Sequence, residues 1–137
     1  MILLDTNVVS ELRKAREADR GVMRWIATQA AELQFLSAIS ILELEIGVQR
    51  MERRDARQGA VLRRWLNDRV HPAFEDRILP VDLAVARRCA ALHVPDPRPE
   101  RDAMIVATAL VHGLTLATRN ETDFQNMGVQ IINPWTG

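Results

Sequence analysis

The chain has 137 residues, which is too short for two domains. Of these residues, 47% are hydrophobic and 26% are charged, values typical of a soluble globular protein. Its 18 basic and 18 acidic residues cancel, which excludes strong nonspecific nucleic-acid binding driven by net charge. No apolar stretch approaches the ~20 residues that a membrane span requires. We therefore expect a single domain over residues 1–137 that does not span a membrane. Because Cys89 is the single cysteine and cannot form an internal disulfide, we expect the protein in the reducing cytoplasm.

Short apolar runs alternate along the chain with segments of helical periodicity. The predicted strands are residues 2–4, 34–37, 77–81, 114–118 and 129–132. One predicted helix begins at Val8 and another begins at Ser40. Four more are predicted over residues 19–30, 55–70, 82–92 and 103–111, and a short helical turn is predicted after Asn120. This alternation indicates an α/β fold with a parallel sheet covered on both faces. Ligands of such sheets bind beyond the carboxyl ends of the strands.

Four acidic residues lie where these predicted elements meet: Asp5, Glu43, Asp102 and Asp123. Each adjoins an apolar run, so each carboxylate is expected to be held near the core. Repeated negative charge at the rim of a core is unfavourable unless something offsets it. Carboxylates that converge on one point need a cation, and hard oxygen ligands select magnesium or manganese.

Each acid also has a structural interpretation when it is taken alone. Ser40 and Glu43 have the spacing of a capping box, and Asn120 and Asp123 have a similar spacing. An acid at a helix start or a strand end can be a helix cap or part of an Asx turn. The joint pattern favours a functional site, because the helix that follows Asp102 is apolar on almost every side and should be buried.

Three segments carry a resemblance to a known family. They are Asp5-Thr6-Asn7, the segment from Glu43 to Gly47, and the run from Asp102 to Phe124, followed by a closing Ile132-Asn133-Pro134-Trp135. In the order and spacing of these segments, and in its closing residues, the chain resembles PIN-domain ribonucleases over essentially its whole length. The resemblance is strongest to the VapC-type toxins of bacterial toxin–antitoxin pairs. The run from Asp102 to Phe124 is the most specific of these motifs.

The resemblance implies a three-layer α/β/α PIN-like domain with a central, mainly parallel sheet. It implies an RNA-hydrolysing site in which Mg²⁺, or Mn²⁺ as a substitute, is held by Asp5, Glu43, Asp102 and Asp123. The family's polar positions near that site correspond to Thr6, Asn7, Thr118 and Asn120, of which the two asparagines are expected to orient carboxylates or water. The implied partners are an RNA substrate, a cognate antitoxin and a second copy of the chain in a homodimer.

Two other functions remain open at this point. The first is a noncatalytic module that binds RNA or protein on the same fold. The second is a phosphatase with Asp5 as nucleophile, but that chemistry usually needs a second aspartate two residues later, where this chain has Asn7. Metal-dependent cleavage of a labelled RNA would separate the nuclease from both.

An arginine-rich segment supplies candidate RNA contacts. Arg50, Arg53, Arg54 and Arg57 fall at i, i+3, i+4 and i+7, so they form one basic stripe if a single helix continues through them. The alternative is a solvated helix face on which Glu52 and Asp55 balance the charge.

Overall fold

The computed structural model describes residues 1–136. Five parallel strands form one sheet in the order β3-β2-β1-β4-β5. The strands are β1 (Ile2–Leu4), β2 (Gln34–Ser37), β3 (Ile78–Leu79), β4 (Thr115–Ala117) and β5 (Ile131–Ile132). The predicted α/β class is confirmed, although β3 and β5 are shorter than the sequence predicts.

Seven helices accompany the sheet in the described residues: α1 (Thr6–Leu12), α2 (Arg20–Ala27), α3 (Ala38–Arg54), α4 (Ala56–Trp65), α5 (His71–Ala73), α6 (Leu83–Leu92) and α7 (Glu100–His112). A π turn over Leu66–Val70 continues α4, and single 3₁₀ turns cover Ala15–Glu17, Ala31–Leu33 and Glu121–Phe124. None of the helices in residues 1–136 combines the length and the hydropathy that a membrane span needs.

The central strand β1 divides the core into two layers, because successive strand residues face opposite sides of a sheet. Leu4 packs in a cluster that includes Val22 of α2 and Leu44 of α3. Leu3 packs on the other side, in a cluster that includes Ile105 of α7. The helix α6 covers α7 through a smaller cluster. The result is the expected α/β/α arrangement.

The helices α1 and α3 begin earlier than the sequence predicts. The Asp5 carboxylate accepts a hydrogen bond from the Thr6 amide at 2.8 Å, so α1 starts directly after β1 rather than at Val8. The Ser37 side chain caps α3, which therefore starts before Ser40. In both places a side chain at the end of the strand is already able to cap the helix, so no intervening loop is needed.

The helix α7 also begins earlier, at Glu100, directly after Pro99. Asp102 therefore lies inside the first turn of this helix rather than in front of it. Gly113 ends the helix as predicted, with a left-handed backbone at φ 66° that glycine adopts without a Cβ penalty.

The condition for the predicted arginine stripe, one helix through all four arginines, is not met. Asp55 has an extended backbone at φ −151°, and its carboxylate caps the next helix by accepting hydrogen bonds from the amides of Arg57 and Gln58. Arg57 therefore lies on α4, while the other three arginines lie on α3. Aspartate is a strong helix-capping residue, so it starts a new helix here.

Candidate active site

The carboxyl ends of β1 and β4 adjoin a cleft of about 400 Å³. The chain leaves β1 towards β2 on one side, while β4 lies on the other side, which is the kind of switch point where α/β sheets bind ligands. The cleft is lined by Asp5, Thr6, Asn7, Ser10, Glu11, Lys14, Glu43, Asp102, Arg119, Asn120 and Trp135. Segments far apart in the sequence therefore meet at this edge of the sheet.

Asp5 is the most deeply buried of the four predicted acids, with 6% of its surface exposed. Its Oδ1 accepts a hydrogen bond from the Thr6 amide at 2.8 Å, and its Oδ2 accepts one from the Thr118 hydroxyl at 2.8 Å. Burial raises the pKa of Asp5, the two hydrogen bonds lower it, and the nearby Glu43 and Asp123 raise it further, with a net upward shift. Asp5 therefore carries a charge that this environment does not fully stabilise.

Glu43 does not form the capping box with Ser40 that its spacing suggested. Its Oε1 accepts a hydrogen bond from the Thr6 hydroxyl at 2.6 Å, and the Ser40 hydroxyl lies 3.1 Å from the same Thr6 oxygen. Its Oε2 lies 3.8 Å from a guanidinium nitrogen of Arg101. Glu43 is thus tied to the start of α1, next to Asp5, rather than to its own helix terminus.

Asp102 enters the cleft from the first turn of α7. Burial raises the pKa of Asp102, and the charges of Asp5, Asp123 and Glu43 raise it further, to about 6. The four acids, which come from four separate segments, therefore interact electrostatically.

Asp123 lies in the 3₁₀ turn over Glu121–Phe124 and is exposed to solvent. Its backbone amide donates to the Asn120 carbonyl at 3.2 Å, and the Asn120 side chain does not cap this turn. The capping-box interpretation is therefore wrong here as well. Asp123 affects the pKa of both Asp5 and Asp102, although its side chain is not part of the cleft wall.

Three of the four predicted polar residues contact the acids directly through their side chains. The Asn7 amide nitrogen donates to Thr118 Oγ1 at 3.3 Å and to Asp5 Oδ2 at 3.4 Å, and the Thr6 and Thr118 hydroxyls donate to Glu43 and Asp5. Asn120 lines the cleft and donates its backbone amide to Thr118 Oγ1 at 3.0 Å. These contacts orient the carboxylates of Asp5 and Glu43.

The donor set suits a hard divalent cation, because it consists of carboxylate oxygens whose mutual repulsion such an ion would relieve. Within residues 1–136, however, no three His, Cys, Asp or Glu side chains are already close enough together to hold one ion. Asp5 and Glu43 instead use oxygens to accept hydrogen bonds from Thr118 and Thr6. Coordination of one ion by three of these carboxylates would therefore need a change in their side-chain orientation.

Five cleft residues were not predicted as site residues: Ser10, Glu11, Lys14, Arg119 and Trp135. A signal for two of them is present in the sequence, because Asn7, Glu11 and Lys14 follow at i, i+4 and i+7, the spacing of one helix face. Arg119 and Trp135 belong to motifs that carried the family resemblance, but nothing in their local pattern indicates that they meet.

The comparisons with known proteins agree with this architecture. The chain matches the PIN domain family over residues 2–130. It belongs to the PIN domain family. It is 41% identical over 140 residues to VapC ribonuclease Y4jK of Sinorhizobium fredii, a match that covers 98% of each chain. It is 38% identical to toxin FitB of Neisseria gonorrhoeae, over 98% of this chain and 99% of that one.

A solved structure supports the same assignment. The crystal structure of FitAcB from Neisseria gonorrhoeae superposes with a TM-score of 0.89 at 36% identity, over 98% of this chain and 99% of that chain. The family resemblance found in the sequence is therefore confirmed.

Proposed function

We propose that this chain is a magnesium-dependent ribonuclease that hydrolyses RNA phosphodiester bonds and is the toxin of a toxin–antitoxin pair. The observation that carries the proposal is that Asp5, Glu43 and Asp102, from three separate segments, line one cleft at the edge of the sheet, with Asp123 near enough to raise the pKa of Asp5 and Asp102. The similarity to a VapC ribonuclease and to toxin FitB supports the ribonuclease and toxin assignments.

The four acids would hold the divalent ion. Bound there, the ion would orient the substrate phosphate, lower the pKa of a bound water and offset the negative charge that develops during hydrolysis. Thr118 and the Thr6 amide fix the Asp5 carboxylate from the side of the core, and the Thr6 hydroxyl keeps Glu43 beside it. Asp102 has to lose its proton before it can serve as a ligand, so protons compete with metal binding and this competition grows as the pH falls towards 6 and below.

The phosphatase alternative is less well supported. Position 7 is an asparagine whose amide donates to Asp5 and Thr118, so it supplies no acid–base group.

Incubation of purified protein with labelled single-stranded RNA tests the proposal. We expect cleavage with Mg²⁺, no cleavage with excess chelator, and none by Asp5→Asn, a substitution that retains a good helix-capping residue. Cleavage that a chelator does not affect would contradict the metal requirement. RNA binding without cleavage under any metal condition would favour the noncatalytic module, and phosphate release from small monoesters would favour the phosphatase.

The proposed partners are an antitoxin and a second copy of the chain. The similarity to toxin FitB, and to a chain in a toxin–antitoxin complex from Klebsiella pneumoniae (TM-score 0.68, 25% identity), supports the antitoxin. An arginine from an antitoxin could compete with the metal among the carboxylates, since a guanidinium pairs well with such groups. Arg101 already approaches Glu43 to 3.8 Å. Addition of the antitoxin should therefore suppress RNA cleavage, and light scattering should give the mass of a dimer for the toxin alone.

A further inference from the structure

Two cationic side chains, Lys14 and Arg119, line the carboxylate cleft and have no part in the chemistry proposed above. They come from opposite ends of the sequence, one just after α1 and the other just after β4. A cleft that contains several carboxylates repels a polyanion, so cations in its wall are needed if RNA is to enter.

Lys14 is held in place by a buried carboxylate. Its Nζ donates to Glu11 Oε1 at 3.0 Å, while the other oxygen of Glu11 accepts the Asp19 amide at 2.8 Å. Glu11 is 6% exposed, whereas the Lys14 side chain is 51% exposed. The chain turns sharply between these contacts, with Ala15 at φ 52°, a left-handed conformation that costs energy in a residue other than glycine. Glu11 therefore orders the turn and directs an accessible ammonium group along the cleft wall.

Arg119 is held by different contacts. Its guanidinium carbon lies 5.3 Å from the centre of the Trp135 ring, within the range of a cation–π interaction. Its backbone amide donates to Asn7 Oδ1 at 3.4 Å, and its carbonyl accepts from the Asn133 side-chain amide at 3.5 Å. These two contacts join the segment around Arg119 to α1 and to the C-terminal residues. The stem of Arg119 is therefore fixed beside the acids while its guanidinium retains donors for a ligand.

We propose that Lys14 and Arg119 bind the RNA phosphates adjacent to the scissile one, and that Glu11 is the positioning residue for Lys14. This inference rests on the proposed ribonuclease function. Both cations are ordered before the substrate arrives, so less conformational entropy is lost on binding. By contrast, Arg53 lies ten residues beyond Glu43 on α3, roughly 15 Å along the helix axis, and so stands away from the carboxylates.

The test is binding of labelled single-stranded RNA in Mg²⁺ by the full chain carrying Asp5→Asn, which prevents cleavage, over a series of salt concentrations. Lys14→Gln and Arg119→Gln should each weaken binding and lower the slope of log K against log salt by about 0.7, the value for one contact to a single-strand phosphate. Arg16→Gln is the matched control, since Arg16 is an exposed cation two residues from Lys14 and outside the cleft. It should leave the slope unchanged.

The substitution Glu11→Gln tests the positioning role of Glu11, because the two effects of the substitution change RNA affinity in opposite directions. Removal of a negative charge from the cleft should by itself strengthen RNA binding, whereas loss of the partner that positions Lys14 should weaken it. We expect weaker binding, measured below the melting temperature of the variant. We also expect Lys14→Arg to recover most of the affinity lost in Lys14→Gln.

The outcomes separate this inference from the function on which it rests. Unchanged salt slopes for Lys14→Gln and Arg119→Gln, in a protein that binds RNA and whose wild type cleaves it, would overturn this inference alone. Stronger RNA binding by Glu11→Gln would overturn the positioning role. Absence of RNA binding and cleavage altogether would overturn the proposed function together with the inference.

Discussion

Two buried carboxylates six residues apart, Asp5 and Glu11, show opposite behaviour. Each is 6% exposed, yet the pKa of Asp5 is raised and the pKa of Glu11 is lowered. The Asp19 amide lowers the pKa of Glu11 most, followed by the hydrogen bond from Lys14. Asp5 instead has Glu43 and Asp123 as charged neighbours. Burial raises the pKa of Asp5 more than its hydrogen bonds lower it, whereas at Glu11 the hydrogen bonds outweigh burial. Burial alone therefore does not mark a functional acid, and the balance between burial and hydrogen bonds separates a structural carboxylate from a candidate ligand.

The strongest way to break this comparison is Asp5→Asn. We expect RNA cleavage to fall by at least about a hundredfold, since a carboxylate is lost where charge develops. The metal-free protein should melt at the same temperature or higher, because an acid whose pKa is raised by folding costs stability in its ionised form at neutral pH. Cleavage assays and thermal melts check the two parts. A clear drop in the melting temperature would instead make Asp5 a structural residue like Glu11.

The response to magnesium is the next largest effect. Saturating Mg²⁺ at a hundred times its dissociation constant should stabilise the wild type by about 2.7 kcal/mol through mass action. Asp102→Asn should lose most of this gain, because Asp102 is one of the proposed ligands. Thermal melts with and without the ion measure the difference. An equal magnesium response in the variant and the wild type would remove Asp102 from the site.

Glu11→Gln should act on stability in the opposite direction from Asp5→Asn. A carboxylate whose pKa is lowered by folding stabilises the native state at neutral pH, and this contribution is lost as the pH falls through the folded pKa. The variant should therefore melt below the wild type at pH 7 and approach it in acid. A variant that melts above the wild type at pH 7 would show that the two acids do not differ as described.

The pH dependence of the stability of the metal-free protein is a smaller effect. The pKa of Asp102 rises from 3.8 to about 6 on folding, so the native state holds a proton that the unfolded chain has released within this window. The free energy of unfolding should therefore fall as the pH rises from about 4 to about 6. The change should be on the order of 1 kcal/mol, because solvent screens the partly exposed group. Denaturant melts at successive pH values should show a flatter profile for Asp102→Asn.

The smallest effect concerns the arginines of α3. Arg53→Ala combined with Arg54→Ala should lower the salt slope of RNA binding by less than Lys14→Gln does, since these side chains lie away from the cleft. Parallel salt titrations of the two variants give the comparison. A larger loss in the double variant would return the main RNA contacts to α3.

Much of the fold could be predicted because local signals and burial agree. The apolar run Ile2–Leu4 and the apolar helix that follows Asp102 are unambiguous, and they place two of the acids at the edge of the sheet. Helix starts were less predictable, since Ser37 and Ser40 are equally good caps and only the length of β2 decides between them. The helix break at Asp55 was also hard to predict, because one capping residue among many polar residues of helical periodicity does not stand out in the sequence.

The carboxylate site itself was predictable from order and spacing, but its supporting contacts were not. Glu43 pairs with the hydroxyl of Thr6, 37 residues earlier, rather than with its local partner Ser40. Lys14 lies in the cleft wall just before the left-handed residue Ala15, and Trp135 reaches the cleft from the C-terminal segment. Such contacts depend on tertiary packing, which helical or strand periodicity does not encode.

Calorimetric titration of the metal-free protein with Mn²⁺ tests the central claim most directly, namely that Asp5, Glu43, Asp102 and Asp123 share one divalent-ion site. We expect binding by the wild type and by Glu11→Gln, and strong loss of binding in Asp5→Asn and Asp102→Asn. Unaltered binding in both aspartate variants would contradict the account.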